Sequence, residues 1–139
     1  MKLTTKGRYA VMAMADLALY GKDKPVSLSA ISLRQNISLA YLEQLFIRLK
    51  HKNLVKSVRG SSGGYILVKT PSEIRLSNII FAVNEKVQTL NCKKELKKGC
   101  THKNMKCITH NLWDDLEQHI NSFFEKKKLG DLLDNNRIS

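Results

Sequence analysis

Between Thr4 and Tyr20 the apolar residues recur at intervals that suit a helix. Tyr9, Val11, Met12, Met14, Leu17 and Leu19 supply a broad apolar surface, Thr4 or Thr5 can cap the start, and Gly21 offers a stop. Lys22 to Pro25 reads as a turn. Ser27 is placed to cap a short helix through Gln35, with Leu28, Ile31 and Leu33 turned inward. Asn36 and Ile37 form a tight connection, and Ser38 caps a third helix running to about Asn53. At about 100° per residue, Leu42, Leu45, Phe46 and Leu49 fall on one face of that helix. The opposite face carries Ala40, Glu43, Gln44, Ile47, Arg48 and His51, with Tyr41 at its N-terminal edge. Two strand-like runs follow, Leu54–Val58 and Tyr65–Val68, around the segment Arg59-Gly60-Ser61-Ser62-Gly63-Gly64. Its glycines permit the positive φ angles of a tight hairpin. Pro71 and Ser72 end the hairpin, Ile74–Leu76 reads as a short strand beside it, and Ser77 to about Asn84 reads as a helix with Ile79, Ile80 and Val83 inward. Residues 86–107 lack periodicity and form a loop, long enough to imply a function of its own. From about Ile108 to Lys128 a long amphipathic helix carries the stripe Ile108, Leu112, Leu116, Ile120 and Phe123, flanked by Trp113 and Phe124. Gly130 ends it, and Asp131–Asp134 can add one more turn.

A short helix, a brief turn and a second helix with a polar outer face make a helix-turn-helix pattern, which an ordinary pair of packed helices also shows. The glycine-rich hairpin directly after it separates the two readings. A phosphate-cradling loop would need a helix behind it, whereas the run Tyr65-Ile66-Leu67-Val68 is β-like. The expected fold is therefore mainly α with a small β wing: a winged helix-turn-helix domain over residues 1–84, a loop over 85–107, and a long dimerisation helix with a C-terminal tail over 108–139.

Charge sharpens this picture. The 139 residues carry a formal charge of +12. Residues 1–70 hold 12 Lys and Arg against 3 Asp and Glu, and residues 71–139 hold 12 against 9. The excess sits on the half with the helix-turn-helix, which favours double-stranded nucleic acid over an acidic membrane as partner. No apolar run approaches bilayer length and no signal-peptide core is present, so a cytoplasmic protein is expected. In a reducing compartment three cysteines fit metal binding better than disulfides.

Those cysteines and one histidine gather in the loop and at the start of the last helix, as Cys92, Cys100, Cys107 and His110. Cys107 and His110 are three apart, so both can face one centre. The neighbouring Lys93, Lys94, Lys97, Lys98, Lys103 and Lys106 favour thiolates and offset their charge. Three Cys and one His also suit tetrahedral zinc. The absence of a short Cys-x₂₋₄-Cys knuckle argues for an iron–sulfur cluster instead, with two ligands per iron. His102 is a competing nitrogen donor, and His119 reads as helix surface.

Residues 1–11 (Met-Lys-Leu-Thr-Thr-Lys-Gly-Arg-Tyr-Ala-Val), residues 37–46 (Ile-Ser-Leu-Ala-Tyr-Leu-Glu-Gln-Leu-Phe), Val58-Arg59-Gly60 with Gly63-Gly64-Tyr65, and Cys107-Ile-Thr-His110 before Leu112-Trp113 together resemble the IscR-like family of iron–sulfur-cluster winged-helix regulators. The resemblance runs from residue 1 to about 134. It implies a [2Fe–2S] cluster on Cys92, Cys100, Cys107 and His110. It also implies a homodimer on a palindromic operator, control of cluster-assembly genes as repressor or activator, and cluster-assembly proteins as cluster donors. The cysteine spacings are somewhat longer than the family's, which keeps open a related [4Fe–4S] nitric-oxide-sensing repressor, and zinc-stabilised DNA binding without sensing stays a rival. Ala40 stands where a small hydroxyl residue is common.

The DNA-facing set follows from side-chain chemistry. Gln44 can pair bidentately with adenine. Ser38 and Tyr41 suit phosphate. Glu43 repels phosphate unless it accepts from cytosine N4, which makes it a selectivity filter. Arg59 and Gly60 should follow the minor groove. Lys6 and Arg8 suit the backbone, and Ala40 and Arg48 complete the set. No catalytic serine triad, paired carboxylates or nucleotide loop is present, and Cys107 with His110 is only a faint echo of a catalytic pair, so an enzyme is not expected.

Overall fold

The computed structural model describes residues 5–83 and 108–136. Helix α1 spans Thr5–Tyr20, α2 Leu28–Gln35 and α3 Leu39–His51. Strands β1 (Val55–Val58) and β2 (Gly64–Leu67) make an antiparallel hairpin, and a 3₁₀ turn at Pro71–Glu73 leads into α4 (Leu76–Ala82). Helices α5 (His110–Lys126) and α6 (Leu129–Asn136) complete the described chain.

The helix-turn-helix is set by two serine caps and one left-handed residue. Ser27 Oγ accepts from the Ala30 amide at 3.1 Å, and Ser38 Oγ accepts from the Tyr41 amide at 3.0 Å. Between them Asn36 sits at φ 55°, and its amide donates to Ser32 O, a left-handed helix end that asparagine tolerates. Ile31, Leu42, Leu45, Phe46 and Leu49 are buried, as their spacing requires, and close one core with Ala10, Ala13, Met14 and Leu17 of α1. Leu33 departs from expectation. It is 84% exposed, because the inward stripe of an eight-residue helix already passes through Leu28 and Ile31.

Asp16 is the buried charge of this core. Its carboxylate accepts from Arg34 Nε and Nη2 at 2.9 and 2.7 Å and from Gln35 Nε2 at 2.9 Å. The guanidinium also lies 4.1 Å over the Tyr20 ring. The hydrogen bond from Arg34 to Asp16, helped by the carboxylate's charge, holds the arginine pKa above its ordinary value against partial desolvation. The charged guanidinium therefore fastens α2 to α1. Replacing Arg34 by methionine leaves the Asp16 charge buried with one amide donor. Because Arg34 itself is about one-third exposed, the expected loss is about 2–3 kcal/mol, below the range for a fully buried pair. Urea unfolding of Arg34→Met measures it, and a change under about 0.5 kcal/mol would contradict this role.

The hairpin does not stand free. Val26 pairs with Tyr65 in an isolated antiparallel bridge, its amide donating to Tyr65 O at 3.0 Å and its carbonyl accepting from the Tyr65 amide at 2.8 Å. The Tyr65 ring lies 4.9 Å from Phe46 of α3. The turn before α2 and the middle of α3 thus both fix strand β2 of the hairpin.

Two expectations for the second half are corrected. Ile74–Leu76 does not join the hairpin. It pairs with the α5–α6 junction: Arg75 bridges Lys128, Leu76 N–H donates to Lys127 O at 3.0 Å, and Leu129 N–H donates to Ile74 O at 2.8 Å. The last long helix also ends before Gly130, at Lys126. Lys127 carries extended backbone, and Gly130 lies inside α6, close against the backbone of Pro71 and Ser72. With Leu129 fully buried and Leu132 and Leu133 packed against the core, α6 folds back onto α1 and the 3₁₀ turn. Helix α5 leans chiefly on α4. No helix among the described residues is long and apolar enough to cross a membrane.

Candidate nucleic-acid interface and ligand helix

The outer face of α3 is polar and open. Ser38, Ala40, Glu43, Gln44, Ile47 and His51 are exposed, and Arg48 is half-buried. Ser38 uses its oxygen as the α3 cap acceptor, which leaves its O–H free to donate outward. Tyr41 is half-buried and packs edge-on against Tyr9 at 5.8 Å, joining the start of α3 to the first turns of α1, where Lys6 is half-buried and Arg8 exposed. Arg48 is partly committed elsewhere: Nη1 donates to Val83 O at 3.2 Å, at the carbonyl end of α4. Lys50 Nζ donates to Ser57 Oγ at 3.0 Å and ties the end of α3 to β1.

The hairpin holds its register from Val55 opposite Leu67 to Val58 opposite Gly64, so residues 59–63 form the tip. The Gly63 amide donates to Gly60 O at 3.0 Å, and Gly60 takes φ 116°. Arg59 and Gly60 are both exposed there. A flexible cation on a tight, open tip beside a capped helix with a polar outer face can follow a nucleic-acid backbone and enter a groove.

Of the four residues expected to bind metal, the structure describes His110, the first residue of α5; Cys92, Cys100 and Cys107 lie outside the described residues. Trp113, one turn on, donates from Nε1 to Thr109 Oγ1 at 2.9 Å and pins the start of the helix. Among the described residues no group of three His, Cys, Asp or Glu stands together as a metal site. Three thiols and one imidazole are nonetheless a donor set that fits a two-iron cluster with two ligands per iron.

The DNA-facing set leaves out two exposed residues of the outer α3 face, His51 at its end and Ile47 at its middle. The apolar character of Ile47 hides it among residues chosen for hydrogen bonding.

Residues 3–135 match the Rrf2 family, described as an iron-dependent transcriptional regulator. The HTH-type transcriptional regulator IscR of Yersinia pseudotuberculosis is 51% identical over 138 residues, covering 99% of this chain and 82% of that one. Among solved structures, the IscR of T. potens superposes with a TM-score of 0.76 at 35% identity, over 98% of this chain and 88% of that one. CymR of B. subtilis, the global cysteine regulator, does so with 0.79 at 30% identity, over 95% of each. The winged helix-turn-helix, the hairpin and the long C-terminal helices thus have close relatives that regulate transcription rather than catalyse. This chain belongs to the Rrf2 family of iron-dependent winged-helix transcriptional regulators, and within it is IscR-like.

Proposed function

We propose that the chain is a homodimeric regulator that binds a palindromic operator and reports the state of a [2Fe–2S] cluster held by Cys92, Cys100, Cys107 and His110, controlling genes of iron–sulfur cluster assembly. The observation that carries the reading is the joint placement of the α3 face and the wing tip on one frame, with His110 opening the helix that leans on that frame through α4. When bound, the cluster supplies a redox- and oxygen-sensitive group. Cys92, Cys100 and Cys107 give thiolates, His110 an imidazole nitrogen, and the six surrounding lysines offset the thiolate charge. Residues 85–107 then form the sensing loop between the DNA-binding part, 1–84, and the dimerisation part, 108–139.

On DNA, Gln44 pairs with adenine N6 and N7, and Glu43 accepts from cytosine N4 while rejecting other edges. Ser38, Tyr41, Lys6 and Arg8 hold phosphates, Ala40 lies against the groove floor, and Arg48 keeps one guanidinium nitrogen on α4 and offers the other outward. Arg59 and Gly60 follow the minor groove. Arg59→Ala is expected to lower specific affinity about tenfold at fixed salt and to reduce the salt slope by about one. Titration of one duplex at several salt concentrations measures both, and an unchanged affinity would remove the wing from the interface.

The decisive experiment is the visible spectrum and metal content of protein purified without oxygen. A coloured protein with about two irons and two sulfides per chain is expected, and Cys92→Ala should lose the colour. About four of each would move the chain to a [4Fe–4S] centre. Colourless protein with zinc would leave DNA binding without sensing.

A further inference from the structure

Ile47 is 66% exposed, whereas Leu42, Leu45, Phe46 and Leu49 around it on α3 are buried and Leu39, at the helix start, is 40% exposed. Ile47 sits one turn beyond Glu43 and Gln44 and two turns beyond Ala40, on the same side. A β-branched side chain on an open helix face gains nothing from folding and costs helix propensity. Around it the surface is cationic. Ile47, Arg48, Lys50, His51, Lys52 and Ala82 border a shallow hollow of about 730 Å³, which suits a polyanion better than a neutral protein face.

The proposal rests on the reading that α3 enters the major groove. We infer that Ile47 is a specificity-determining residue that packs against the C5 methyl group of a thymine in the operator, about 10 Å along the helix from Ala40. The thymine methyl is the apolar feature that the major groove presents, and it is absent from cytosine and from both purines. Polar neighbours at Glu43 and Gln44 then read hydrogen-bonding edges, while Ile47 reads the methyl at the next position along the groove.

The test uses the full chain and a duplex selected from random-sequence DNA, with each thymine of one half-site replaced in turn by uracil. That replacement deletes the methyl and leaves base pairing intact. For the wild-type chain one position should cost about fourfold in affinity, the value of one buried methyl. In Ile47→Ala the uracil penalty at that position should vanish while those elsewhere persist, and Ile47→Val should keep most of it. Because Ile47 is exposed, the alanine variant should melt like the wild type, which thermal unfolding checks. A wild-type chain indifferent to uracil at every position, or a penalty that survives in Ile47→Ala, would overturn the proposal. The first outcome would assign the exposed side chain to a protein contact instead. Gln44→Ala, measured alongside, separates the two levels: if it leaves specific binding intact, the groove reading of α3 fails as a whole, and if it weakens binding while uracil has no effect, only the role of Ile47 fails.

Discussion

Gly64→Ala should destabilise the chain by about 3 kcal/mol or more, well beyond Gly60→Ala, although both are glycines of one hairpin with positive φ. At Gly60, φ is 116° and the space where a Cβ would stand is empty within 4 Å. Alanine there pays only for the backbone conformation, about 1–2 kcal/mol. At Gly64, φ is 155° and an added Cβ would overlap the backbone of Val26 and Ser27. Neither neighbour can move cheaply. Val26 exchanges two hydrogen bonds with Tyr65, and Ser27 caps α2. Alanine must therefore either break the Val26–Tyr65 pair or push the hairpin off Phe46, adding lost hydrogen bonds and lost ring packing to the strain. Denaturant unfolding of the two variants, with the wild type, gives the comparison. Equal losses would mean that the Val26 segment does not press on the wing. Specific DNA affinity should fall with Gly64→Ala even where the protein is folded, because the wing loses its fixed angle to α3.

The parts of the fold legible in the sequence are those set by local chemistry. Ser27 and Ser38 announce two helices, Asn36 marks the turn between them, and the glycines after Val58 mark the hairpin, since each supplies a side-chain acceptor or a backbone freedom within four residues. What stayed hidden depends on partners distant in sequence. Of the apolar residues expected to line α1, Met14 and Leu17 are fully enclosed but Tyr9, Val11, Met12 and Leu19 are half-buried, and the enclosed face is completed by Ala10 and Ala13. Small residues carry little hydrophobic signal but let α4 and α6 approach α1 closely. Asp16 looks like the polar edge of α1 until Arg34 and Gln35 arrive from the next helix. Ile74–Leu76 looks like a strand because Ile74 and Arg75 carry extended backbone, but its pairing is a bridge to the α5–α6 junction, more than fifty residues on, and nothing local distinguishes that edge from the wing.

The site divides in the same way. Gln44, Glu43 and Arg59 can be picked out by chemistry, because a polar residue on the face opposite a buried stripe must point outward. The partial diversion of Arg48 to Val83 could not be seen, since it depends on where α4 ends relative to α3. Ile47 is plain in the pattern and easily passed over, because hydrogen-bonding logic does not count a methyl contact as recognition.

Leu112→Glu with Phe123→Glu should turn a dimer into a monomer and lower operator affinity by at least about a hundredfold. On α5, Leu112 is 58% exposed and Phe123 47%, with Leu116 and Ile120 half-buried between them, while Glu117 on the inner side is buried. The protomer therefore covers one side of α5 with α4 and leaves an apolar stripe of about three turns open. Two such stripes related by a twofold axis cover each other, and every residue counts twice. At about 1.5–3 kcal/mol for each large side chain buried, the stripe supplies enough to hold a dimer at micromolar concentration. Glutamates at its two exposed ends place four carboxylates in that seam and leave the buried residues of the protomer in place, so the protomer should largely keep its unfolding midpoint. The DNA consequence follows from geometry. Two α3 helices held about one helical turn apart bind two half-sites as one event, whereas free monomers bind each separately and lose the advantage of the first contact for the second. Sedimentation equilibrium and titration of a palindromic duplex test both halves of the expectation. A double variant that remains dimeric would place the subunit contact elsewhere, and a monomer that binds the palindrome as tightly as the wild type would show that the operator is read one half-site at a time.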